Sequence, residues 1–191
     1  MKTAFQRSTR STTAVSLLLT TALAAQAAPP TAAGAAMSPL QGLPYRLYAR
    51  QTDTDARQAV NCLTAVVFAL RRLGHACPSM TPYQALTYWR PRAQPLRLGQ
   101  TPVDGAGLLL FTHEHFLLFH ADLDGNGTVD AQDEVIHAYY RPVAIERLGN
   151  WLRQSPTQQV WSIPIDGRFA CPSQEELARL PRHRPRQQPE M

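Results

Sequence analysis

Three side chains of this 191-residue chain are of the types that carry out acyl transfer together. Cys62 opens an apolar stretch, His115 precedes a second one, and His137 lies within a third. A thiolate attacks an amide carbonyl, an imidazole that titrates near neutral pH takes and returns the proton, and a third polar group fixes the orientation of that imidazole. These residues are therefore candidates for nucleophilic catalysis by a cysteine.

The residues around Cys62 predict a buried amphipathic helix. Asn61 is a suitable N-cap, which places Cys62 in the first turn, where the helix dipole and the unpaired backbone N–H groups favour the thiolate. If Thr54-Asp55 is the true N-cap, Cys62 lies in the middle of the helix and is an inert core residue. The apolar positions at helical spacing and the glycine that ends the helix are Leu63, Val66, Val67, Leu70, Leu73 and Gly74.

The chain contains three cysteines, an odd number. Cys77 and Cys171 both lie in loop-like segments next to a proline, which makes them suitable partners for a disulfide in an oxidising compartment. Cys62 is then the free thiol.

The second half of the chain predicts strands that carry the histidines. Apolar runs at 107–111 and 116–119 flank His113 and His115, and a third run at 135–140 contains His137. His113 and His115 point to the same face of a regular strand, so His113 is an alternative base, whereas His120 faces the other way. Simple hairpin pairing sets His137 three positions from His115, so a bulge or bend is required to bring the two rings together.

The polar segment 122–133 matches a twelve-residue calcium loop. Oxygen-bearing side chains occupy positions 1, 3, 5, 9 and 12, a backbone carbonyl is expected at position 7, and Gly127 permits the sharp turn at position 6. Several aspartates in one short loop repel each other without a cation. The last ligand is Asp, as in dockerins, and Glu134 is an alternative to it; strands rather than helices are expected on both sides. The predicted ligands of a structural calcium ion are Asp122, Asp124, Asn126, Thr128, Asp130 and Asp133.

Composition and patterning place these features in an exported single domain. Residues 1–28, with a basic start, an apolar centre and Ala25-Gln26-Ala27, predict a signal peptide, and its apolar stretch is too short for a membrane anchor. The leader carries three of the nineteen cations, so the remaining chain indicates no nucleic-acid partner and no stable membrane insertion. Residues 29–44 are expected to form an Ala/Pro-rich linker, 45–170 the catalytic domain, and 171–191 a basic, partly disordered tail.

Cys62 at the start of an apolar helix, His115 at the start of a strand and His137 on the next strand resemble the NlpC-type papain-like cysteine peptidases and amidases of bacterial cell walls. The resemblance covers roughly residues 55–165 and implies an α+β papain-like fold, with N-terminal helices packed on an antiparallel sheet. It also implies that Cys62, His115 and His137 form the catalytic triad. The family usually has Asp-Cys-Ser-Gly where this chain has Asn61-Cys62-Leu63-Thr64, so the resemblance does not identify the substrate.

The resulting hypothesis is a periplasmic or secreted hydrolase that cleaves an amide bond in peptidoglycan stem peptides, with an immunity protein as an expected partner if the enzyme is an antibacterial toxin. Two alternatives remain: a transglutaminase-like acyltransferase on the same scaffold, and a non-enzymatic calcium-binding envelope protein. The scaffold is predicted to include helices from Thr81-Pro82 to Trp89 and at 145–152, and a strand at 159–165. Five aromatic residues are expected either to line a substrate cleft or to belong to the core: Tyr45, Tyr48, Trp89, Tyr139 and Tyr140.

Overall fold

The computed structural model describes residues 28–49, 51, 58–154, 156 and 158–183. In this part of the chain, five helices and six strands form an α+β arrangement. The helices are α1 (Ala32–Met37), α2 (Cys62–Arg72), α3 (Pro82–Trp89), α4 (Leu148–Gln154) and α5 (Gln174–Arg179), with short 3-10 turns at Ser38–Leu40 and Arg90–Arg92. The strands are β1 (Gln94–Pro95), β2 (Leu108–Phe111), β3 (Phe116–Ala121), β4 (Glu134–His137), β5 (Ala144–Arg147) and β6 (Trp161–Pro164).

The six strands form one antiparallel sheet in the order β1-β6-β2-β3-β4-β5. Its two faces bury separate apolar clusters, because alternate residues along a strand point to opposite faces. Phe116 and Leu118 join the cluster that contains α1, α2 and α3, whereas Leu117 and Phe119 join the cluster that contains α4. The α+β class with helices packed on an antiparallel sheet is therefore confirmed.

Helix α2 forms where the apolar periodicity predicts it. Its N-cap is Asn61, whose side-chain Oδ1 accepts a hydrogen bond from the Thr64 N–H at 2.8 Å. This satisfies one of the backbone donors that a helix leaves unpaired at its start. Cys62 is consequently the first residue of the helix, as predicted, and the alternative cap at Thr54-Asp55 lies outside the described residues. Helix α3 begins at Pro82, as predicted, with a capping box between Thr81 and Gln84.

The predicted linker at 29–44 is wrong. Residues Ala32–Met37 form α1, which is capped by Thr31 and buries Ala33, Gly34, Ala36 and Met37 against α2 and β3. The Thr31 N–H donates to the His120 carbonyl at 2.7 Å, and the Thr31 hydroxyl donates to the Phe119 carbonyl at 2.9 Å. An alanine-rich segment resembles a linker by composition, but small side chains also allow a helix to approach a strand closely.

The C-terminal segment also differs from the expected loose tail. Ser173 caps α5, and Leu177 is buried in the apolar cluster that contains α1, α2 and α3. Cys171 is joined to Cys77 by a disulfide with a Cα–Cα distance of 5.0 Å. This confirms the predicted cysteine pairing and leaves Cys62 as the free cysteine. Residues 184–191, like the predicted signal peptide up to residue 27, lie outside the described residues.

Two further boundaries can be compared with the sequence. The predicted helix at 145–152 begins instead as β5, which pairs with β4 up to Arg147 before α4 starts at Leu148. The closing strand expected at 159–165 is confirmed as β6. Within the described segments, no helix combines the length and apolarity that crossing a bilayer requires.

A β-bulge sets the register between β3 and β4. Leu118 pairs with Ile136 and Phe119 with Val135, but the next pair is Ala121 with Glu134, so His120 is an extra residue on β3. The bulge shifts the pairing by one residue relative to a simple hairpin. In this register, His137 lies opposite the residue that is two positions after His115 in the chain. The side chains of His137 and of that residue are on the same face of the sheet.

Helix α1 packs directly on this bulge at Gly34. A Cβ added there would lie 2.8 Å from His120 Cα and 2.9 Å from the His120 carbonyl oxygen. We expect Gly34→Ala to lower the free energy of unfolding by about 1–3 kcal/mol, because backbone atoms must move to admit the methyl group. Chemical denaturation measures this change. Ala35→Ser, at an exposed position of the same helix, is the control and should change stability by less than about 0.5 kcal/mol; equal stability of the two variants would contradict the packing argument.

Candidate active site

Cys62 lies at the N-terminus of α2, where three backbone N–H groups act to lower the pKa of its thiol. They belong to Phe116 at the start of β3, to Leu63 and to Cys62 itself. Donors of this kind stabilise negative charge, whether on a thiolate or on an oxyanion that forms beside it. The helix start and the adjacent strand thus form one anion-stabilising position.

The sequence position of Cys62 predicts a thiol that ionises readily, and this prediction is wrong for the resting structure. The side chain is only 8 % exposed, and burial raises the pKa of the Cys62 thiol above its usual value. The three N–H groups lower this pKa, but they do not offset the loss of hydration. At neutral pH the resting sulfur is therefore protonated.

His115 and His137 are hydrogen-bonded to each other, as the triad hypothesis requires. His115 Nε2 lies 2.8 Å from His137 Nδ1, and His137 Nε2 lies 2.6 Å from a carboxylate oxygen of Glu146 on β5. Burial and the neighbouring His137 lower the pKa of His115 well below its usual value. Burial also lowers the pKa of His137, although the hydrogen bond and the negative charge of Glu146 act in the opposite direction.

Cys62 and His115 are connected through the backbone at the start of β3. β4 ends at His137, and the Phe116 N–H lowers the pKa of the Cys62 thiol. His115 is the residue immediately before Phe116 in the chain. His115 Nδ1 is buried and has no hydrogen-bond partner within the described part of the chain. A catalytic contact that is open in the resting state is common, because such contacts tighten when substrate binds.

Three tyrosine rings form a contiguous group that contacts His115 through Tyr139. The Tyr139 ring lies 4.6 Å from the His115 ring and 4.7 Å from the Tyr140 ring, and Tyr140 lies 5.2 Å from Tyr45. Burial raises the pKa of Tyr45 to about 12, with smaller effects from Cys62 and from the other two tyrosines. We call Tyr45, Tyr139 and Tyr140 the tyrosine cap.

The backbone of the cap is strained at Tyr140. Its φ of 51° lies in the left-handed region, which a tyrosine rarely adopts. Strain of this kind costs about 1–3 kcal/mol and is concentrated at functional sites. Of the other two aromatic residues considered for a cleft, Trp89 is fully buried in the core and Tyr48 is 88 % exposed.

The other histidines of β3 and its turn make different contacts. His113 is exposed and packs against Trp161, with 5.4 Å between ring centroids. His120 forms the bulge and is directed at α1, where burial lowers its pKa. His115, which is buried and hydrogen-bonded to His137, is therefore a better candidate base than the exposed His113.

The segment 122–133 forms a tight acidic loop between two strands, as expected. The two carboxylate oxygens of Asp122 accept hydrogen bonds from the backbone N–H groups of Gly125 and Gly127, each at 2.8 Å. Those of the fully buried Asp133 accept from the N–H groups of Leu123 and Asp130, at 3.0 and 2.7 Å. Backbone hydrogen bonds therefore fix both ends of the loop in place.

Within this loop, a set of oxygen atoms is close enough to surround one cation. Ligand atoms of Asp122, Asp124 and Asp133 all lie within 4.8 Å of one another. Asn126 Nδ2 donates to Asp124 at 2.8 Å and to Asp130 at 3.1 Å, and Thr128 Oγ1 donates to Asn126 Oδ1 at 2.7 Å. Three of the six predicted ligands, Asp122, Asp124 and Asp133, are thus brought together, and hydrogen bonds connect Asn126, Thr128 and Asp130 to this group. Burial and the charges of Asp130 and Asp122 raise the pKa of Asp133 to about 6.

No protein-family model, curated protein or solved structure matches this chain in the comparisons. The site is therefore assigned from its own geometry. Sequence reasoning missed Glu146, which lies in a segment predicted as helix. The signal that could have found it is the strand-like stretch Val143-Ala144-Ile145, which places Glu146 on a strand next to β4.

The burial of Cys62 and the tyrosine cap predict that alkylation of the Cys62 thiol is slow and depends on pH. Iodoacetamide should alkylate the native protein slowly at pH 7 and faster as the pH rises, because the buried thiol has a raised pKa and only the thiolate reacts. Tyr139→Ala should accelerate the reaction about tenfold at pH 7, since it exposes and hydrates the sulfur; this corresponds to about 1.4 kcal/mol. Intact-mass spectrometry under non-reducing conditions measures the rate. Tyr48→Ala is the control and should react like wild type, and equal rates for both variants would show that Tyr139 does not shield Cys62.

Proposed function

We propose that this chain is an exported cysteine amidase or endopeptidase that hydrolyses an amide bond in peptidoglycan stem peptides. The observation that carries this proposal is the combination of a free cysteine at a helix N-terminus with a buried histidine, one residue before Phe116, that is hydrogen-bonded to a second histidine. The resemblance to NlpC-type enzymes in the order Cys62, His115, His137 supports the reaction class. The substrate class rests on that resemblance.

In the proposed reaction, the proton of the Cys62 thiol moves to His115 Nδ1 as the sulfur attacks the substrate carbonyl carbon. The resulting oxyanion accepts hydrogen bonds from backbone N–H groups at the start of α2, which contribute about 3 kcal/mol per donor. His115 then transfers the proton to the leaving amine, and the C–N bond breaks to leave a thioester. Water, deprotonated by the same imidazole, hydrolyses the thioester and releases the carboxylic acid.

Export is supported by the Cys77–Cys171 disulfide, because such bonds persist in oxidising compartments. The predicted signal peptide at 1–28 agrees with a periplasmic or secreted location. An immunity protein belongs to this proposal only if the target is the wall of a rival cell.

We also propose that the acidic loop binds a structural calcium ion. The residues fit such an ion: their oxygens converge, and the buried Asp133 carboxylate lies close to two other negative charges that a divalent cation would neutralise. The loop connects β3 to β4, so a bound ion would stabilise the hairpin whose strands position His115 and His137. Its proposed role is structural, and no chemical step depends on it.

Digestion of purified sacculi tests the proposed hydrolase. Wild type should release stem-peptide fragments, whereas Cys62→Ala should release none and His115→Ala should lower the rate by about 10³-fold or more, since nucleophile and base act as a unit. His113→Ala is the control and should retain nearly full activity. Mass spectrometry of the fragments identifies the cleaved bond. Addition of an amine distinguishes hydrolysis from acyl transfer, because transfer would yield amine adducts. Full activity of a folded Cys62→Ala protein would contradict the proposal.

Thermal unfolding tests the proposed calcium site. Millimolar calcium should raise the Tm of wild type, and chelation should reverse the rise, because an ion that binds only the folded state stabilises it by mass action. Asp124→Asn should reduce the shift, since Asp124 is an exposed member of the cluster and its loss removes a ligand charge. Glu175→Gln, an exposed glutamate on α5, should respond like wild type. A Tm that does not depend on calcium in wild type would exclude a structural role for the ion.

A further inference from the structure

Glu146 and the two histidines form a continuous hydrogen-bonded relay that ends at His115. The distances are 2.6 Å from Glu146 Oε1 to His137 Nε2 and 2.8 Å from His137 Nδ1 to His115 Nε2. Glu146 comes from β5 and His137 from the neighbouring β4, on the same face of the sheet, and His115 immediately precedes β3. The bulge at His120 makes this alignment possible.

The chemistry of the relay determines where each proton resides. A carboxylate is only an acceptor, so His137 Nε2 carries a proton and donates it to Glu146. Neutral His137 then has its lone pair at Nδ1, and His115 Nε2 must carry the proton that is shared with it. Neutral His115 therefore presents an unprotonated Nδ1, the buried atom that has no partner among the described residues.

We propose that Glu146 is a positioning residue that holds His137 and His115 in the tautomers with protonated Nε2, so that His115 Nδ1 is available to accept the Cys62 proton. This inference rests on the proposed function and deepens it. When His115 takes the proton from Cys62, the relay carries the positive charge toward the Glu146 carboxylate. No proton needs to reach Glu146, and none is lost from the site.

Glu146 can be replaced without a cavity forming in the core. Its side chain is 26 % exposed and faces a cavity of about 370 Å³ that also borders His137, Tyr139, Arg141 and Gln154. Gln154 Nε2 donates to the other carboxylate oxygen of Glu146 at 3.4 Å, so the relay has one uncharged contact from α4.

The titratable groups near the relay come from several elements. Facing His137 or His115 are Glu146 from β5 and Tyr139 and Arg141 from the segment after β4. Of these, the Glu146 carboxylate is hydrogen-bonded directly to an imidazole, so its removal should dominate any change in the pH profile.

Nitrogen-15 NMR of the histidine rings tests the inference without a substrate. Wild type should show both His115 and His137 with protonated Nε2 and unprotonated Nδ1. In Glu146→Ala, His137 should become a mixture of tautomers, because no carboxylate remains to accept its proton. Glu146→Gln should give an intermediate result, since its amide oxygen can accept the same hydrogen bond without the charge. A wild-type His115 protonated at Nδ1, or unchanged tautomers in Glu146→Ala, would overturn the proposal.

Alkylation of Cys62 by iodoacetamide provides the reactivity readout. Glu146→Ala should react about tenfold more slowly at pH 7, and its rate profile should move to higher pH, because the imidazolium that must form loses its stabilising partner. Glu146→Gln should lie between it and wild type, and Glu175→Gln, with an exposed carboxylate on α5, should match wild type. A uniform loss of rate with no shift of the pH profile would indicate a merely structural role and would overturn the proposal.

The two hypotheses fail in different ways. If wild type leaves sacculi intact while the tautomers and the alkylation profile depend on Glu146, the proposed substrate is wrong and the relay stands. If wild type cleaves sacculi through Cys62 but Glu146→Ala cleaves equally fast, the hydrolase stands and the role of Glu146 is wrong.

Discussion

The single extra residue at His120 is the constraint on which the site depends. Because side chains alternate between the two faces of a strand, a shift of one residue in pairing moves every side chain of the partner strand relative to its neighbours. The bulge places His137 diagonally across from His115 and leaves Val135 and Ile136 in their apolar clusters. Core packing and the imidazole contact are therefore satisfied by the same register. The backbone of α1, through Thr31 and Gly34, packs on the bulge and holds it in place.

Cys62 and His115 carry no net charge in the resting site. Burial raises the pKa of the Cys62 thiol and lowers that of His115, so at neutral pH both partners are uncharged. Charge separation would require hydration or substrate dipoles. The N–H groups that lower the pKa of the thiol belong to the folded backbone, and orientation of donors before the reaction is the main electrostatic contribution to catalysis of the proposed kind. The resting site thus combines backbone donors that are already in place with a thiol that stays protonated at neutral pH.

Local patterns in the sequence were sufficient to predict the features that depend on neighbouring residues. These features are the helix N-cap at Asn61, the acidic loop, the pairing of Cys77 with Cys171 and the need for a bulge. Long-range packing was not accessible in the same way. Residues 32–37 resemble a linker because nothing local shows that β3 offers them a surface, and the raised pKa of Cys62 depends on burial beneath elements from distant parts of the chain. Glu146 was missed because its contact with His137 depends on the pairing of β5 with β4.

The disulfide separates the residues of the candidate active site into two parts of the chain. Its cysteines are 94 positions apart and enclose all six strands, so the two histidines, Glu146 and the acidic loop lie within one covalent ring, whereas the helix that bears the nucleophile precedes it. A ring of this size contributes on the order of 4 kcal/mol by restricting the unfolded chain. In a reducing compartment that ring would be open, and the strands that hold the imidazoles would lose this restriction. Formation of the disulfide therefore adds rigidity to the part of the chain that carries both histidines, Glu146 and the acidic loop.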